Sequence, residues 1–138
     1  MAGTEEVHEG SCCCGSVRFS IRGPFDTFSH CHCSDCRKSH GAAFATYLGL
    51  ARARFAFMRG DDRVGGFTTA TGTRRNFCRD CGSTLTCTVP SEPEEVYVAA
   101  GTLDTPLARK PEYHIFVRSK VPWLDIQDGL PQHREFSD

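Results

Sequence analysis

The chain has 138 residues with 16 basic and 17 acidic side chains, a formal net charge of −1. That length suits one domain with a real core, and the charge balance argues against nucleic acid as a partner, because phosphate binding wants a basic surface. No run approaches the roughly 20 apolar residues of a membrane span, and the opening MAGTEEVHEG lacks the shape of a signal peptide.

In chain order, residues 1–9 are polar and are expected to be loose. SVRFSI then places Val17, Phe19 and Ile21 on one face of a strand. SDCRKSHGAA (34–43) reads as the one short helix, with Ser34 or Asp35 as its cap. FATYLGL (44–50), RFAFM (54–58), GGFTT (65–69), TLTCTV (84–89), VYVAAG (96–101) and YHIFV (113–117) read as further strands. Gly, Pro and Asp punctuate them, as in RGPFD, RGDDR and VPSEPEE. The expectation is a mainly β single domain over residues 10–130, built of short antiparallel strands in a sandwich or folded sheet, with a loose tail at 131–138.

Nine cysteines cannot all pair within one chain. A reducing, cytoplasmic compartment is expected, where clustered cysteines bind metal more often than they form bridges. The clusters are GSCCCGSV, SHCHCSDCRKSHG and FCRDCGSTL, with Cys87 alone in a strand. Side chains at i and i+2 of an extended chain share a face. Cys12 can therefore chelate with Cys14, and Cys31 with Cys33, while Cys13 and His32 point away. Gly82 after the Cys78–Cys81 pair permits the positive φ that folds the second thiolate back onto a metal.

Seven chelating cysteines divide as four plus three. Cys12, Cys14, Cys78 and Cys81 would close a structural Zn²⁺ site, and Cys31, Cys33 and Cys36 would hold a second Zn²⁺ with one position free. Three protein ligands with an exchangeable fourth mark a catalytic zinc. The rival partition joins Cys33 and Cys36 to Cys78 and Cys81, and leaves Cys12, Cys14 and Cys31 without a role.

GSCCCGSVRF, CHCSDCRKSHGAAF, FCRDCGSTL, AAGTLD and PEYHIFVRSKVPW, in that order, resemble the glutathione-dependent formaldehyde-activating enzyme family, to which the centromere protein V domain is related. The resemblance runs from about Gly10 to Trp123. It implies a zinc-containing β-tent fold and two Zn²⁺ per chain. It also implies the four-plus-three partition, with Cys31, Cys33 and Cys36 as ligands of the catalytic ion. The implied activity is that of a carbon–sulfur lyase, joining glutathione or a similar thiol to formaldehyde or another small aldehyde as S-(hydroxymethyl)glutathione synthase does. A thiol entering the open zinc position loses its proton and becomes a nucleophile at neutral pH.

Outside the clusters, His114 lies in a family motif and is a candidate acid–base group, against a plain structural role in a strand. Arg37 and Lys38 are candidates for substrate carboxylates, as are Arg118 and Lys120. His30 and His40 flank the cysteine loop, where either could donate to a thiolate. Trp123 is expected in the core or a pocket wall, and the basic stretches ARARF and TRRNF on an ordinary solvated face. The alternative function is a non-catalytic module that uses zinc to fold and binds a protein.

Overall fold

The structure, a computed structural model, describes residues 6–136. Among the described residues, ten strands and one α-helix, with short 3-10 turns between them, form a mainly β domain. The strands are β1 (Val7–Ser11), β2 (Arg18–Arg22), β3 (Thr27–Cys31), β4 (Ala45–Ala51), β5 (Phe55–Arg59), β6 (Val64–Thr68), β7 (Arg74–Cys78), β8 (Thr84–Thr88), β9 (Glu95–Ala99) and β10 (Tyr113–Ile115), and α1 is Ser34–His40. One sheet has the order β1-β2-β5 and the other β10-β3-β4-β9-β8-β7-β6. Among the described residues every strand pairing is antiparallel, as the short-strand pattern predicts, except that of β10 with β3, which runs parallel.

Alternation in β2 turns Phe19 and Ile21 inward and Arg18 and Arg22 outward. The central strand β4 is instead apolar without interruption over Tyr47–Leu50, because both of its faces are covered. The two sheets meet through Val17, Phe19, Ile21, Leu48, Leu50, Leu85 and Val98, all essentially inaccessible. Each such side chain contributes roughly 1.5–3 kcal/mol by leaving water. Gly10 faces this core from β1. A β-carbon there would stand 2.2 Å from the Phe19 ring and 2.6 Å from the Thr102 carbonyl.

Both ends differ from expectation. Of the N-terminal segment expected to be loose, residues 1–5 lie outside the described residues, but Val7–Ser11 pairs fully with Arg18–Arg22. At the C-terminus, residues 137–138 lie outside the described residues, whereas the stretch before them is tied to β10. The His114 N–H donates to Pro131 O, His133 N–H to His114 O, and Phe116 N–H to Glu135 O. An edge strand three residues long leaves backbone groups to be satisfied, and this segment satisfies them. The helix stops at His40 rather than residue 43, where Gly41 takes the left-handed conformation (φ 59°) that closes a C-terminus.

Candidate functional site

Cys12 and Cys14 follow β1, and Cys78 and Cys81 sit on the β7–β8 turn; their four Sγ atoms lie within 4.8 Å of one another. Cys14 Sγ is 3.6 Å from Cys12 Sγ and 3.9 Å from Cys78 Sγ. Tetrahedral zinc with bonds of about 2.3 Å sets sulfurs about 3.8 Å apart, so this donor set fits zinc. Backbone amides turn in toward the sulfurs: Val17 N–H to Cys12 Sγ at 3.2 Å and Asp80 N–H to Cys78 Sγ at 3.4 Å. Gly82 carries φ 79° and donates its N–H to Cys78 O, closing the knuckle as its position after Cys81 predicts. The Ser83 hydroxyl and N–H hold the Cys81 thiol down to about 5, whereas burial pushes Cys78 up to about 11.

The second cluster forms where β3 runs into α1. Cys31 and Cys36 are buried and Cys33 is half-buried, with all three Sγ atoms within 4.8 Å. Cys36 Sγ lies 3.2 Å from Cys31 Sγ. The helix cap is Cys33 rather than Ser34 or Asp35: its Sγ accepts the Cys36 N–H at 3.2 Å, so one thiol serves both cap and cluster. Hydrogen bonds from the Cys31 and Cys36 thiols hold Cys33 far below the usual thiol range, while the same pairing and burial push Cys31 up. Among the described residues no other Cys, His, Asp or Glu joins this trio within that radius. Three clustered thiols are a donor set that zinc takes, one short of the four of a closed structural site.

The residues reach the two clusters as the four-plus-three partition groups them; the rival grouping of Cys33 and Cys36 with Cys78 and Cys81 does not form. All nine cysteines are free thiols. Cys13 is exposed, and Cys87 is buried beside Cys31, Cys36 and Tyr47. His32 is fully buried, with Nε2 2.8 Å from His114 Nδ1 and away from the thiols.

Arg75 was hidden in the sequence. TRRNF is not an ordinary solvated face: Arg74 is exposed, but Arg75 is half-buried with Nη2 3.6 Å from Cys36 Sγ and Nη1 donating to the Tyr47 hydroxyl at 3.0 Å. Burial pushes the Tyr47 hydroxyl well above its usual range, so it stays protonated and turns to His40 Nε2 at 3.0 Å. Alternation along β7 gave a faint signal, since only one of two adjacent arginines can face outward. Arg75 also lines a cavity of about 470 Å³ with Lys38, Ser39, Asn76 and Thr84.

The other candidates are scattered. His40 pairs with Tyr47 and His30 with the Thr46 hydroxyl, not with thiolates. Arg37 and Lys38 border a second groove with Trp123, which is 73% exposed and so stands on a pocket wall rather than in the core. Arg118 pairs with Glu135, and Lys120 Nζ donates to the Val121 carbonyl at 3.0 Å. His114 is buried between His32 and Asp128.

Fold and clusters together define a mainly β domain carrying two separate cysteine centres of metal-binding geometry, one with four thiols and one with three. The family model described as "Glutathione-dependent formaldehyde-activating enzyme" matches residues 7–119, and the chain belongs to that family. A protein of Halomonas elongata named "Putative glutathione-dependent formaldehyde-activating enzyme" is 33% identical over 127 residues, covering 86% of this chain and 80% of its own. A crystal structure of a Rhodobacter sphaeroides protein superposes with a TM-score of 0.62 at 27% identity, covering 73% of this chain and 92% of the other.

Proposed function

We propose that the protein is a zinc-dependent carbon–sulfur lyase. It would join a small thiol, glutathione or a close analogue, to formaldehyde or a similar aldehyde at the Cys31–Cys33–Cys36 centre. The carrying observation is the three-thiol cluster, which no fourth protein donor closes among the described residues, beside a cavity bordered by Lys38 and Arg75. The four-thiol cluster would hold a second, structural zinc. It ties the end of β1 to the β7–β8 turn, and zinc in such a site supplies folding energy.

A zinc ion held by the trio would supply a Lewis-acid position at which an incoming thiol gives up its proton. The chain's own groups do the rest. Arg75 offsets the charge that three thiolates concentrate around Cys36. Lys38 lines the cavity, where a carboxylate of the thiol substrate can pair with it, and with Arg37 it also lines the second groove. In the reaction the substrate sulfur bonds to the aldehyde carbon, and the thiol proton ends on the former carbonyl oxygen. His114 has no place in this scheme, since its ring is taken up by His32 and Asp128. Nine free thiols suit a reducing compartment such as the cytoplasm.

Exchange NMR on glutathione and formaldehyde tests the reading. The protein is expected to speed interconversion of free thiol and hydroxymethyl adduct, and Cys33→Ser to lose that gain. No gain over the uncatalysed rate with any of a panel of small thiols would overturn it and favour a protein-binding module.

A further inference from the structure

A second set of ligand-type side chains lies apart from the thiols. His30 on β3 and His114 on β10 are register partners on the parallel pair, and their rings lie 4.7 Å apart between centroids. The Asp128 carboxylate reaches them from the C-terminal segment, and one donor atom from each of the three lies within 4.8 Å of the others. Their orientation is fixed from behind. His30 Nδ1 is 2.8 Å from the Thr46 hydroxyl, His114 Nδ1 is 2.8 Å from His32 Nε2, and Asp128 Oδ1 accepts the Leu130 N–H at 3.0 Å. Metal-binding histidines are held in this way, one ring nitrogen on an outer partner and the other presented to the ion. Asp128 Oδ2 stands 2.8 Å from His114 Nε2. Two ligand atoms about 2.1 Å from one ion are that far apart when they subtend about 84°, close to an octahedral angle.

We propose that His30 Nε2, His114 Nε2 and the Asp128 carboxylate form a third metal site, of two nitrogens and one oxygen, for a divalent first-row ion such as Zn²⁺ or Fe²⁺. Imidazole and carboxylate donors select such ions, where an all-thiolate set selects softer binding. To ligate through Nε2, His114 carries its proton on Nδ1, with His32 Nε2 as acceptor. A cavity of about 290 Å³ lined by Phe44, His114, Asp125, Gln127 and Asp128 gives an ion a way in and leaves room for water ligands.

Cobalt is the probe. The protein as purified, with its thiol sites loaded, is titrated with Co²⁺ and followed by visible absorbance and calorimetry. One further equivalent is expected to bind, with d–d bands but no new sulfur-to-cobalt charge transfer. Asp128→Asn, whose amide oxygen can still accept the Leu130 N–H, and His30→Gln are each expected to weaken it at least about tenfold. The proposal falls if no further equivalent binds at millimolar Co²⁺, if its spectrum carries thiolate charge transfer, or if both variants bind as the parent does. The thiol-site spectrum and the formaldehyde assay report separately on the catalytic reading.

Discussion

Arg75 Nη2 stands 3.6 Å from Cys36 Sγ while Nη1 of the same guanidinium is braced on the Tyr47 hydroxyl. The cation on β7 is thus fixed against a thiol on α1, which the chain separates by 39 residues. Hydrogen bonds to charged groups are worth about 1.5–3 kcal/mol. Arg75→Met is therefore expected to lower kcat/KM for thiol–aldehyde condensation roughly 10- to 100-fold. Arg75→Lys, which keeps the charge and loses the two-pronged geometry, should recover part of that. Thermal melts of both variants serve as the control, and full activity in Arg75→Met would remove this residue from the site.

The two cysteine centres are expected to differ on loss of one ligand. Cys33 is half-buried and lies at the start of a seven-residue helix, so Cys33→Ser should cost one zinc, measured by elemental analysis, and leave the far-UV circular dichroism intact. Cys78 is inaccessible and anchors the turn that links β7 to β8. Cys78→Ser should cost the fold along with the metal. Parent protein with one zinc, or two variants that behave alike, would contradict the division of labour.

Part of this arrangement was legible in the sequence, for definite reasons. The strands around Phe19, Tyr47 and Val98 carry their apolar pattern openly because they are central or alternate cleanly. For the thiols, i, i+2 alternation sorted faces but left two groupings open, and the family resemblance implied the four-plus-three one; Cys12 and Cys14 in fact come together at a turn after β1. β1, β3 and β7 escaped, since VHEGS, TFSHC and RRNFC owe their place to pairing with neighbours rather than to apolar runs of their own. Gly10 is inward because Phe19 needs the space, a fact of packing and not of propensity. Arg75 became a candidate only when β7 met α1, and Asp128 only when the C-terminal segment met β10. Trp123 stayed outside because the segment after Val121 runs over the surface.

Acid should weaken the β7–β8 turn through one carboxylate. Asp80 lies between Cys78 and Cys81 and takes a two-pronged contact from Arg63, with Nε at 2.9 Å from Oδ2. The hydrogen bonds from Arg63 hold its carboxyl below the ordinary range. A carboxylate with a depressed folded-state pKa stabilises the protein above its unfolded value, near 3.9, and loses that contribution as pH falls through the folded one. The melting difference between the parent and Asp80→Asn is therefore expected to be constant from pH 7 to 5. It should shrink below about pH 4. Zinc-buffered thermal scans would measure it, and a difference that grows toward acid would contradict the pairing.

Gly60 makes the sharpest backbone test. It precedes the 3-10 turn at Asp61–Arg63 with φ 76°, and a β-carbon there would stand 1.9 Å from the Ser16 carbonyl, two residues beyond Cys14. Alanine meets two costs at once, the left-handed conformation and a collision with backbone that cannot rotate away. Together they amount to about 2–4 kcal/mol, or a fall in Tm of about 10 °C for a domain of this size. Gly129 separates the two costs, since it has nearly the same φ of 75° but nothing within 4 Å of its added carbon. Gly129→Ala should therefore lose only about 1 kcal/mol. Because the Ser16 hydroxyl lies 3.2 Å from Cys14 Sγ, the displaced loop in Gly60→Ala should also release zinc more readily to a chelator, whereas Gly129→Ala should not. Equal melting losses in the two variants would show that the close approach of Gly60 to Ser16 does not constrain the fold.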